Sequence, residues 1–246
     1  MKNYIKHDPW LIIEEGFKPE HNRISESIFS LGNGRMGQRA TFEEDYSGDT
    51  HQGSYVAGVY YPDKTRVGWW KNGYPEYFAK VLNAPASIDI KIKINGITLD
   101  LAKAHVANFK RVLDMQHGIL TRSFEATLTD GKKVSVVSTR FCSMADGEVG
   151  AIRYQITPLN FDASFDILLP VDADVVNKDS NYEEKFWTEV SKSADGRKAI
   201  VVAETRKTFF HVATGITYKL NVGGQEVGKT STPILKEKYA AIPVQT

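Results

Sequence analysis

The stretch Ala86-Ser-Ile-Asp-Ile-Lys-Ile-Lys-Ile-Asn-Gly-Ile-Thr-Leu-Asp-Leu101 decides the fold class of this 246-residue chain. It contains two runs in which apolar and polar residues alternate, a pattern typical of strands with one buried face. The dipeptide Asn95-Gly96 between the runs favours the type I′ turn of a β-hairpin. A two-residue turn pairs Ile94 with Ile97, so one face of the hairpin carries only isoleucine and leucine. We expect that face to lie on a core.

The same alternation continues downstream, where turn residues separate further apolar runs. Strands are predicted near residues 105–115, 119–129, 133–142, 149–157, 161–170, 185–193, 197–205 and 208–221. No capped amphipathic helix of twelve residues is found in the sequence, and strands joined by short turns favour antiparallel sheets over βαβ units. We therefore predict an all-β fold, a large antiparallel β-sandwich, with a closed barrel as the competing arrangement.

Residues 19–85 differ from the rest of the chain because they are rich in Gly, Asn, Tyr and Trp and only weakly periodic. An irregular stretch of this length is usually functional or lies at an interface. We expect it to form extended loops and edge strands over one end of the sandwich. Residues 238–246 resemble a strand that is cut short, so the chain is interpreted as a fragment of a longer protein.

The composition argues against several classes of partner. The formal net charge is +1, so no bulk electrostatic field favours nucleic acid or an anionic membrane. The apolar run at residues 10–13 is too short for a signal peptide or a membrane span. The single cysteine, Cys142, excludes an internal disulfide, fits a cytoplasmic location and is expected in the core because its strand is apolar.

Two glycine-rich segments match nucleotide-binding patterns letter by letter. Gly32-Asn-Gly-Arg-Met-Gly37 fits the dinucleotide fingerprint and follows a predicted strand at residues 24–31, but a turn follows it where a helix is required. Gly223-Gly-Gln-Glu-Val-Gly-Lys-Thr230 fits the P-loop pattern, but Pro233 and the few remaining residues leave no room for the helix. Both are interpreted as glycine-containing turns, the second as a hairpin turn with an exposed Lys229.

Few residues show the spacing that catalysis or metal binding requires. The six histidines lack HxH, HxxxH and HExxH spacing, so no metal site is expected. Glu43 and Asp45 could form an acid/base pair, but a solvated loop, or carboxylates that pair with Arg35 or Arg39, is the favoured interpretation. Cys142 lacks any local group that would activate it. We therefore predict no catalytic residue and no cofactor or metal site in this chain.

An aromatic segment at residues 60–78 is the strongest candidate for a functional surface. It contains seven aromatic residues interleaved with charged residues, glycine and proline, and an irregular loop cannot direct all of them into one core. The candidate interface or sugar-facing residues are Tyr60, Tyr61, Arg66, Trp69, Trp70 and Lys71. Protein interfaces and sugar sites both select such residues. An interface is favoured, and internal packing and direct sugar contact remain the alternatives.

The residues from Asn22-Arg-Ile-Ser-Glu-Ser-Ile-Phe-Ser-Leu-Gly-Asn-Gly-Arg-Met-Gly37 onwards closely resemble the N-terminal region of family 65 glycoside hydrolases. The nearest similarity is to maltose phosphorylases, which carry segments like Lys64-Thr-Arg-Val-Gly-Trp-Trp-Lys-Asn-Gly-Tyr-Pro75 and Asn83-Ala. A looser likeness continues through Leu113-Asp-Met115, Arg140-Phe141, Asn177 and Trp187. The resemblance covers essentially the whole chain.

The resemblance implies a galactose mutarotase-like β-supersandwich over residues 1–246, joined through a helical linker to an (α/α)₆ catalytic barrel. Such enzymes cleave an α-linked glucose disaccharide with inorganic phosphate and inversion, without a metal or organic cofactor. Because the barrel would lie beyond residue 246, no catalytic residue is carried onto this chain. The barrel is the expected partner, the full enzyme is expected to be cytoplasmic, and whether it is a homodimer is left open.

Two other function classes remain open at the level of sequence. A free-standing carbohydrate-binding module would give measurable heat with maltose or glucose. A mutarotase-like enzyme would need an exposed pair such as His and Glu converging in a cleft. The linkage of the disaccharide, and whether the full protein is a phosphorylase or a hydrolase, cannot be read from these residues.

Overall fold

The computed structural model describes residues 4–65, 73–162, 164–178, 184–227 and 231–245. The first part of the chain forms β1 (Ile5–His7), β2 (Leu11–Glu15), a 3₁₀ helix (Pro19–His21), α1 (Asn22–Ile28), β3 (Leu31–Gly32), β4 (Met36–Gln38), β5 (Ser54–Val56), β6 (Tyr60–Lys64) and β7 (Tyr77–Val81). The middle part forms β8 (Lys91–Ile94), β9 (Ile97–Thr98), β10 (His105–Asp114), β11 (Ile119–Thr127), β12 (Lys133–Cys142), β13 (Gly150–Pro158) and β14 (Phe165–Asp172). The last part forms β15 (Trp187–Ala194), β16 (Lys198–Thr205), β17 (His211–Thr217), β18 (Leu220–Val222), β19 (Gln225–Val227), β20 (Ile234–Lys236) and β21 (Tyr239–Gln245).

The described strands form three large sheets and three small ones. The six-stranded sheet has the order β1-β2-β10-β11-β12-β13, the five-stranded sheet β20-β21-β14-β8-β9 and the three-stranded sheet β15-β16-β17. The small sheets are β3-β4-β5 and the hairpins β6-β7 and β18-β19. All named pairs of strands are antiparallel. The prediction of an all-β antiparallel fold is confirmed.

One face of the five-stranded sheet packs against both other large sheets. Ile92 of β8 pairs directly with Ile167 of β14, so these side chains lie on the same face. Ile92 belongs to a core cluster that includes Phe124 and Val136 of the six-stranded sheet. Ile167 packs against a second cluster, which includes Val201 of the three-stranded sheet. The large sheets therefore stack face to face as an extended sandwich.

The hairpin that decided the fold class contributes residues to this core. Asn95 and Gly96 have φ angles of 47° and 84°, as a type I′ turn requires, and Ile94 pairs with Ile97. The paired strands of the hairpin are shorter than the alternating sequence. Before β8 begins, the N–H of Ile90 donates to the carbonyl of Glu43 at 2.7 Å and not to the other strand of the hairpin. The isoleucine and leucine face is nevertheless buried or half-buried along its length, as predicted.

The predicted strand at residues 24–31 is wrong, because residues 22–28 form α1. Helical spacing places three polar residues on the buried face, namely Asn22, Ser25 and Glu26. The two isoleucines of this segment, Ile24 and Ile28, remain exposed. Apolar periodicity misassigns such a helix, because its buried face is held by hydrogen bonds and not by apolar contacts.

The described residues of both glycine-rich motifs include turns, as predicted. Gly34, with a φ of 85°, lies in the turn between β3 and β4. Gly223 and Gly224, with φ angles of 58° and 84°, join β18 to β19. Residues 228–230, including Lys229, lie outside the described residues. Within the described part of residues 19–85, the strands are two to five residues long.

Candidate functional site

The carboxylates considered as an acid/base pair do not lie on the surface. Glu43 and Glu44 are buried, with 3% and 4% of their surface exposed, and Asp45 is half-buried. The interpretation of this segment as a solvated loop, or as carboxylates that pair with Arg35 or Arg39, is therefore wrong. Arg35 binds a surface glutamate, and Arg39 binds backbone carbonyls.

Arg122 of β11 is the partner of both buried glutamates. Its Nη2 lies 2.5 Å from Glu43 Oε2, and its Nη1 lies 2.5 Å from Glu44 Oε1. Tyr154 of β13 donates its hydroxyl to Glu44 at 3.1 Å. Arg140 of β12 places Nη1 3.3 Å from Glu43 Oε1. Two buried carboxylates are therefore matched by two guanidinium groups and one phenol from three adjacent strands.

The electrostatics of this cluster keep its charges in place. Burial alone would raise the pKa of Glu43, but the charges of Arg122 and Arg140 outweigh burial and lower it. Burial alone would lower the pKa of Arg122, but Glu44 and Glu43 raise it. A general acid needs a proton to donate and access to its substrate, and a buried, ionised, fully paired carboxylate has neither. The cluster locks residues 43–45 to the six-stranded sheet.

A second set of buried charges holds α1 on the same sheet. Arg111 Nε lies 3.4 Å from Glu14 Oε2, and burial lowers the pKa of Arg111 to about 10. Ser25 of α1 donates its hydroxyl to Glu14 at 2.9 Å. Glu26 of α1 accepts the backbone N–H of His51 at 2.7 Å. The irregular N-terminal segment is therefore anchored by buried polar contacts, which also set the position of His51.

The aromatic segment begins and ends in a two-stranded ribbon, formed by β6 and β7. Tyr60 is 42% exposed, whereas the adjacent Tyr61 is 1% exposed and belongs to the core. The ring centroids of Tyr61 and Phe186 are 4.7 Å apart, and the Tyr61 hydroxyl donates to Glu184 at 2.7 Å. Tyr61 is thus packed internally in this structure, and Tyr60 lies on the surface.

The other four candidate residues, Arg66, Trp69, Trp70 and Lys71, lie outside the described residues. Their assignment as interface or sugar-facing side chains stays a prediction.

The inner face of the ribbon carries a buried ion pair. Lys80 pairs with Asp63, and the two side chains are 6% and 4% exposed. The ammonium group of Lys80 also lies 5.4 Å from the ring centroid of Phe186, a distance at which the ring attracts a cation. The pair fixes the ribbon against the core beside Tyr61.

The outer face of the ribbon carries mainly apolar and aromatic residues. Directly paired residues share one face, and the pairs are Tyr60 with Val81, Pro62 with Ala79 and Lys64 with Tyr77. We call these six residues the outer ribbon face. Tyr77 and Val81 are 51% and 57% exposed. Lys64 is the one charged residue among the six. The face therefore does not suit a strongly charged partner.

A cleft of about 310 Å³ opens beside the ribbon and is lined by His51, Gln52, Tyr55, Val81, Asn83 and Asn177. Asn83 accepts the N–H of Ser54 at 2.8 Å, and the N–H of Asn83 donates to Asn177 Oδ1 at 2.9 Å. Trp187 Nε1 donates to the carbonyl of Asn83 at 2.8 Å. Sequence patterns did not identify this cleft, but the family resemblance included Asn83, Asn177 and Trp187, which meet here.

A mutarotase-like enzyme would need an exposed His and Glu that converge in a cleft. His211 Nε2 lies 2.6 Å from Glu204 Oε2, but both residues lie on the paired strands β16 and β17 and neither lines the cleft. Among the described residues, no group of three or more His, Cys, Asp or Glu is arranged to hold a metal ion. The same part of the chain contains no helix with the length and apolar character to cross a membrane.

Known proteins share both the sequence and the fold of this chain. A maltose phosphorylase from Bacillus subtilis (strain 168) is 48% identical over 198 residues, which are 80% of this chain and 26% of that protein. An α,α-trehalose phosphorylase from Thermoanaerobacter brockii is 31% identical over 224 residues, 85% of this chain and 28% of that protein. A kojibiose phosphorylase from the same organism is 30% identical over 223 residues, 89% of this chain and 27% of that protein.

A solved structure from the human microbiome, described as a candidate kojibiose phosphorylase, superimposes with a TM-score of 0.85 at 26% identity. The match covers all of this chain and 31% of the solved one. The chain thus spans about a quarter of the length of the curated relatives described above. The family model described as glycosyl hydrolase family 65, N-terminal domain, matches residues 12–244. The chain therefore belongs to glycosyl hydrolase family 65, of which it carries the N-terminal domain.

Proposed function

We propose that this chain is the non-catalytic N-terminal domain of a disaccharide phosphorylase and packs on a catalytic (α/α)₆ barrel elsewhere in the full-length polypeptide. The full enzyme cleaves an α-linked glucose disaccharide with inorganic phosphate and inverts the anomeric configuration. The observation that carries the proposal is the 48% identity to a maltose phosphorylase about four times as long as the matched region. Because the matched region is about a quarter of that enzyme, the catalytic residues can lie in the rest of the polypeptide.

The chemistry of the described residues supports a non-catalytic role. Inverting cleavage needs a general acid on the leaving oxygen and a nucleophile on the opposite face of the sugar; in inverting hydrolases the two carboxyl groups lie roughly 6.5–9.5 Å apart. Glu43, one member of the Glu43 and Asp45 pair considered from the sequence, is buried and bound to Arg122, as is its neighbour Glu44. Such groups cannot reach a disaccharide in solvent.

Maltose is the substrate that the comparisons favour. Identity to the maltose phosphorylase is 48%, whereas identity to the trehalose and kojibiose phosphorylases is 31% and 30%. In this proposal the N-terminal domain does not itself hold the scissile bond, so the preference is inferred from the identity between this domain and the matching region of each relative.

The test is a phosphorolysis assay on two proteins, the full-length polypeptide and the 246-residue chain. Each is incubated with phosphate and maltose, kojibiose or trehalose, and released glucose 1-phosphate is measured. We expect the full-length protein to release it fastest from maltose and the 246-residue chain to release none. Turnover by the pure chain would refute the non-catalytic role, and a faster reaction with another disaccharide would refute the choice of maltose.

Two further measurements on the 246-residue chain separate the alternative classes. Rapid equilibration of fresh α-glucose by the 246-residue chain, followed by optical rotation, would favour a mutarotase-like enzyme. Calorimetric heat with maltose in the absence of the remaining polypeptide would favour a carbohydrate-binding module.

A further inference from the structure

The polarity of the β6–β7 ribbon departs from that expected for a hairpin with one face in water, because a buried ion pair lies beside Tyr61 on the inner face. Antiparallel strands with one solvated face usually place apolar residues inside and polar residues outside. Here the inner face buries the ion pair between Asp63 and Lys80, and the outer ribbon face exposes Tyr60, Tyr77 and Val81. A ribbon with this pattern is suited to being covered on both faces.

The neighbouring turn extends the apolar surface beyond the ribbon. The ring of Tyr60 meets that of Phe210 edge to face, with centroids 5.4 Å apart. Thr208 donates its hydroxyl to the carbonyl of Tyr60 at 2.8 Å, which fixes the turn against β6. Phe209, which lies between Thr208 and Phe210 in the sequence, is 68% exposed. Large exposed apolar patches on soluble domains mark interaction sites.

Helix α1, which contacts the cleft residue His51, also buries polar residues and exposes apolar ones. Its residues Asn22, Ser25 and Glu26 are buried, while Ile24 and Ile28, one turn apart, are 53% and 38% exposed. Arg23 of α1 places Nη2 2.9 Å from Nδ1 of His51, and His51 lines the cleft together with Val81 of the ribbon. The cleft is therefore adjacent to the ribbon and, through His51, to α1, and both elements expose apolar residues.

We propose that the outer ribbon face is the surface on which the catalytic part of the same full-length polypeptide docks, an inference that rests on the proposed function. The curated relatives described above are about four times as long as the region matched here. In each relative, the rest of the same polypeptide is therefore a large partner that is always present. The six residues of the face carry one charged group, Lys64, which suits an apolar protein surface.

A sugar is less suited to this face than a protein surface. Sugar binding needs hydrogen-bonding groups beside the aromatic rings, but Pro62, Ala79 and Val81 of this face have no side-chain donor or acceptor. The ring of Tyr60 is also engaged by Phe210. The face is therefore better matched to a dry contact between protein surfaces.

The experiment measures thiol accessibility in the full-length protein. Val81→Cys introduces a thiol on the outer ribbon face, and Val190→Cys provides the matched control, because Val190 is also a strand valine and is 49% exposed against 57% for Val81. Maleimide labelling is followed by mass spectrometry in buffer and in urea. Wild-type protein supplies the background from Cys142, which is buried.

In buffer, we expect the Val81→Cys protein to react at least tenfold more slowly than the Val190→Cys protein, with equal rates in urea. Equal rates in buffer would overturn the proposal. Analytical ultracentrifugation would show whether a dimer dissociates on dilution. Slow labelling that becomes fast over the same dilution would assign the face to a second copy. Slow labelling that requires added maltose would assign it to a sugar.

Phosphorolysis by the same preparations separates the two proposals. Activity with fast labelling of the Val81→Cys protein would overturn the docking face alone. Slow labelling without disaccharide phosphorolysis in wild-type protein would overturn the proposed function alone.

Discussion

Arg122→Met removes the guanidinium that serves two buried carboxylates, so we expect it to destabilise the chain strongly. Arg122 is 4% exposed and contacts both Glu43 and Glu44. Methionine is similarly long and unbranched, so the main loss is charge compensation and not volume. Removing one partner of a buried ion pair costs roughly 3–5 kcal/mol. At about 2–4 °C per kcal/mol for a protein of this size, the melting temperature should fall by about 6–20 °C.

Arg35→Met is the matched control. Arg35 lies 3.0 Å from Glu148, but both side chains are largely exposed, and a surface pair contributes only about 0–1 kcal/mol. Urea unfolding at pH 7, followed by circular dichroism, measures both variants. The reasoning would be wrong if Arg122→Met cost no more free energy of unfolding than Arg35→Met.

A double variant tests whether the cost arises from the stranded charge. Glu44→Gln removes one negative charge but keeps an oxygen that can accept the hydroxyl of Tyr154, which lies 3.1 Å from Glu44. In the Arg122→Met background it should therefore recover about 1 kcal/mol or more, a non-additive effect expected of contacting groups. Strictly additive losses would refute the electrostatic explanation.

Three further predictions concern other parts of the chain. Burial raises the pKa of Asp89 to about 6, above its unfolded value of about 4. The stability contributed by this carboxyl group is therefore present below pH 4 and lost as pH rises through 6. Compared with wild type, Asp89→Asn should raise the free energy of unfolding more at pH 7 than at pH 4.5, and an equal difference at both pH values in urea unfolding would contradict this. Asn83→Leu should cost about 1–3 kcal/mol by leaving the N–H of Ser54 without its acceptor, and an unchanged melting temperature would count against that role. Changing Trp69 and Trp70 together to alanine should leave the melting temperature of the 246-residue chain nearly unchanged while weakening assembly or activity of the full-length protein; loss of several kcal/mol from the chain would identify them as core residues.

Local patterns were sufficient where turn chemistry and alternation agreed. The Asn95-Gly96 turn joins strands whose pairing of Ile94 with Ile97 follows from the two-residue loop. Most strands after residue 100 lie close to their predicted positions, although the predicted run at 208–221 is divided into β17 and β18. These features are encoded within about ten residues of one another, so sequence alone determines them.

Only the tertiary structure decided which side chains face the interior of the irregular N-terminal part. Tyr60 and Tyr61 are adjacent and chemically identical, yet one is exposed and the other buried, because the residues of a strand alternate between an outward-facing and a core-facing side. Periodicity could not reveal that the core-facing side would hold Asp63 and Lys80.

The same limit applies to the buried charges. Glu43 meets Arg122 across 79 positions of sequence, and no local spacing predicts such a pairing. Sequence alone determined that the chain is all-β, where its main turns lie and, through resemblance, its family. The tertiary structure decided which charges are buried and which apolar residues are exposed, because burial is a property of the elements packed around a side chain and not of its neighbours in sequence.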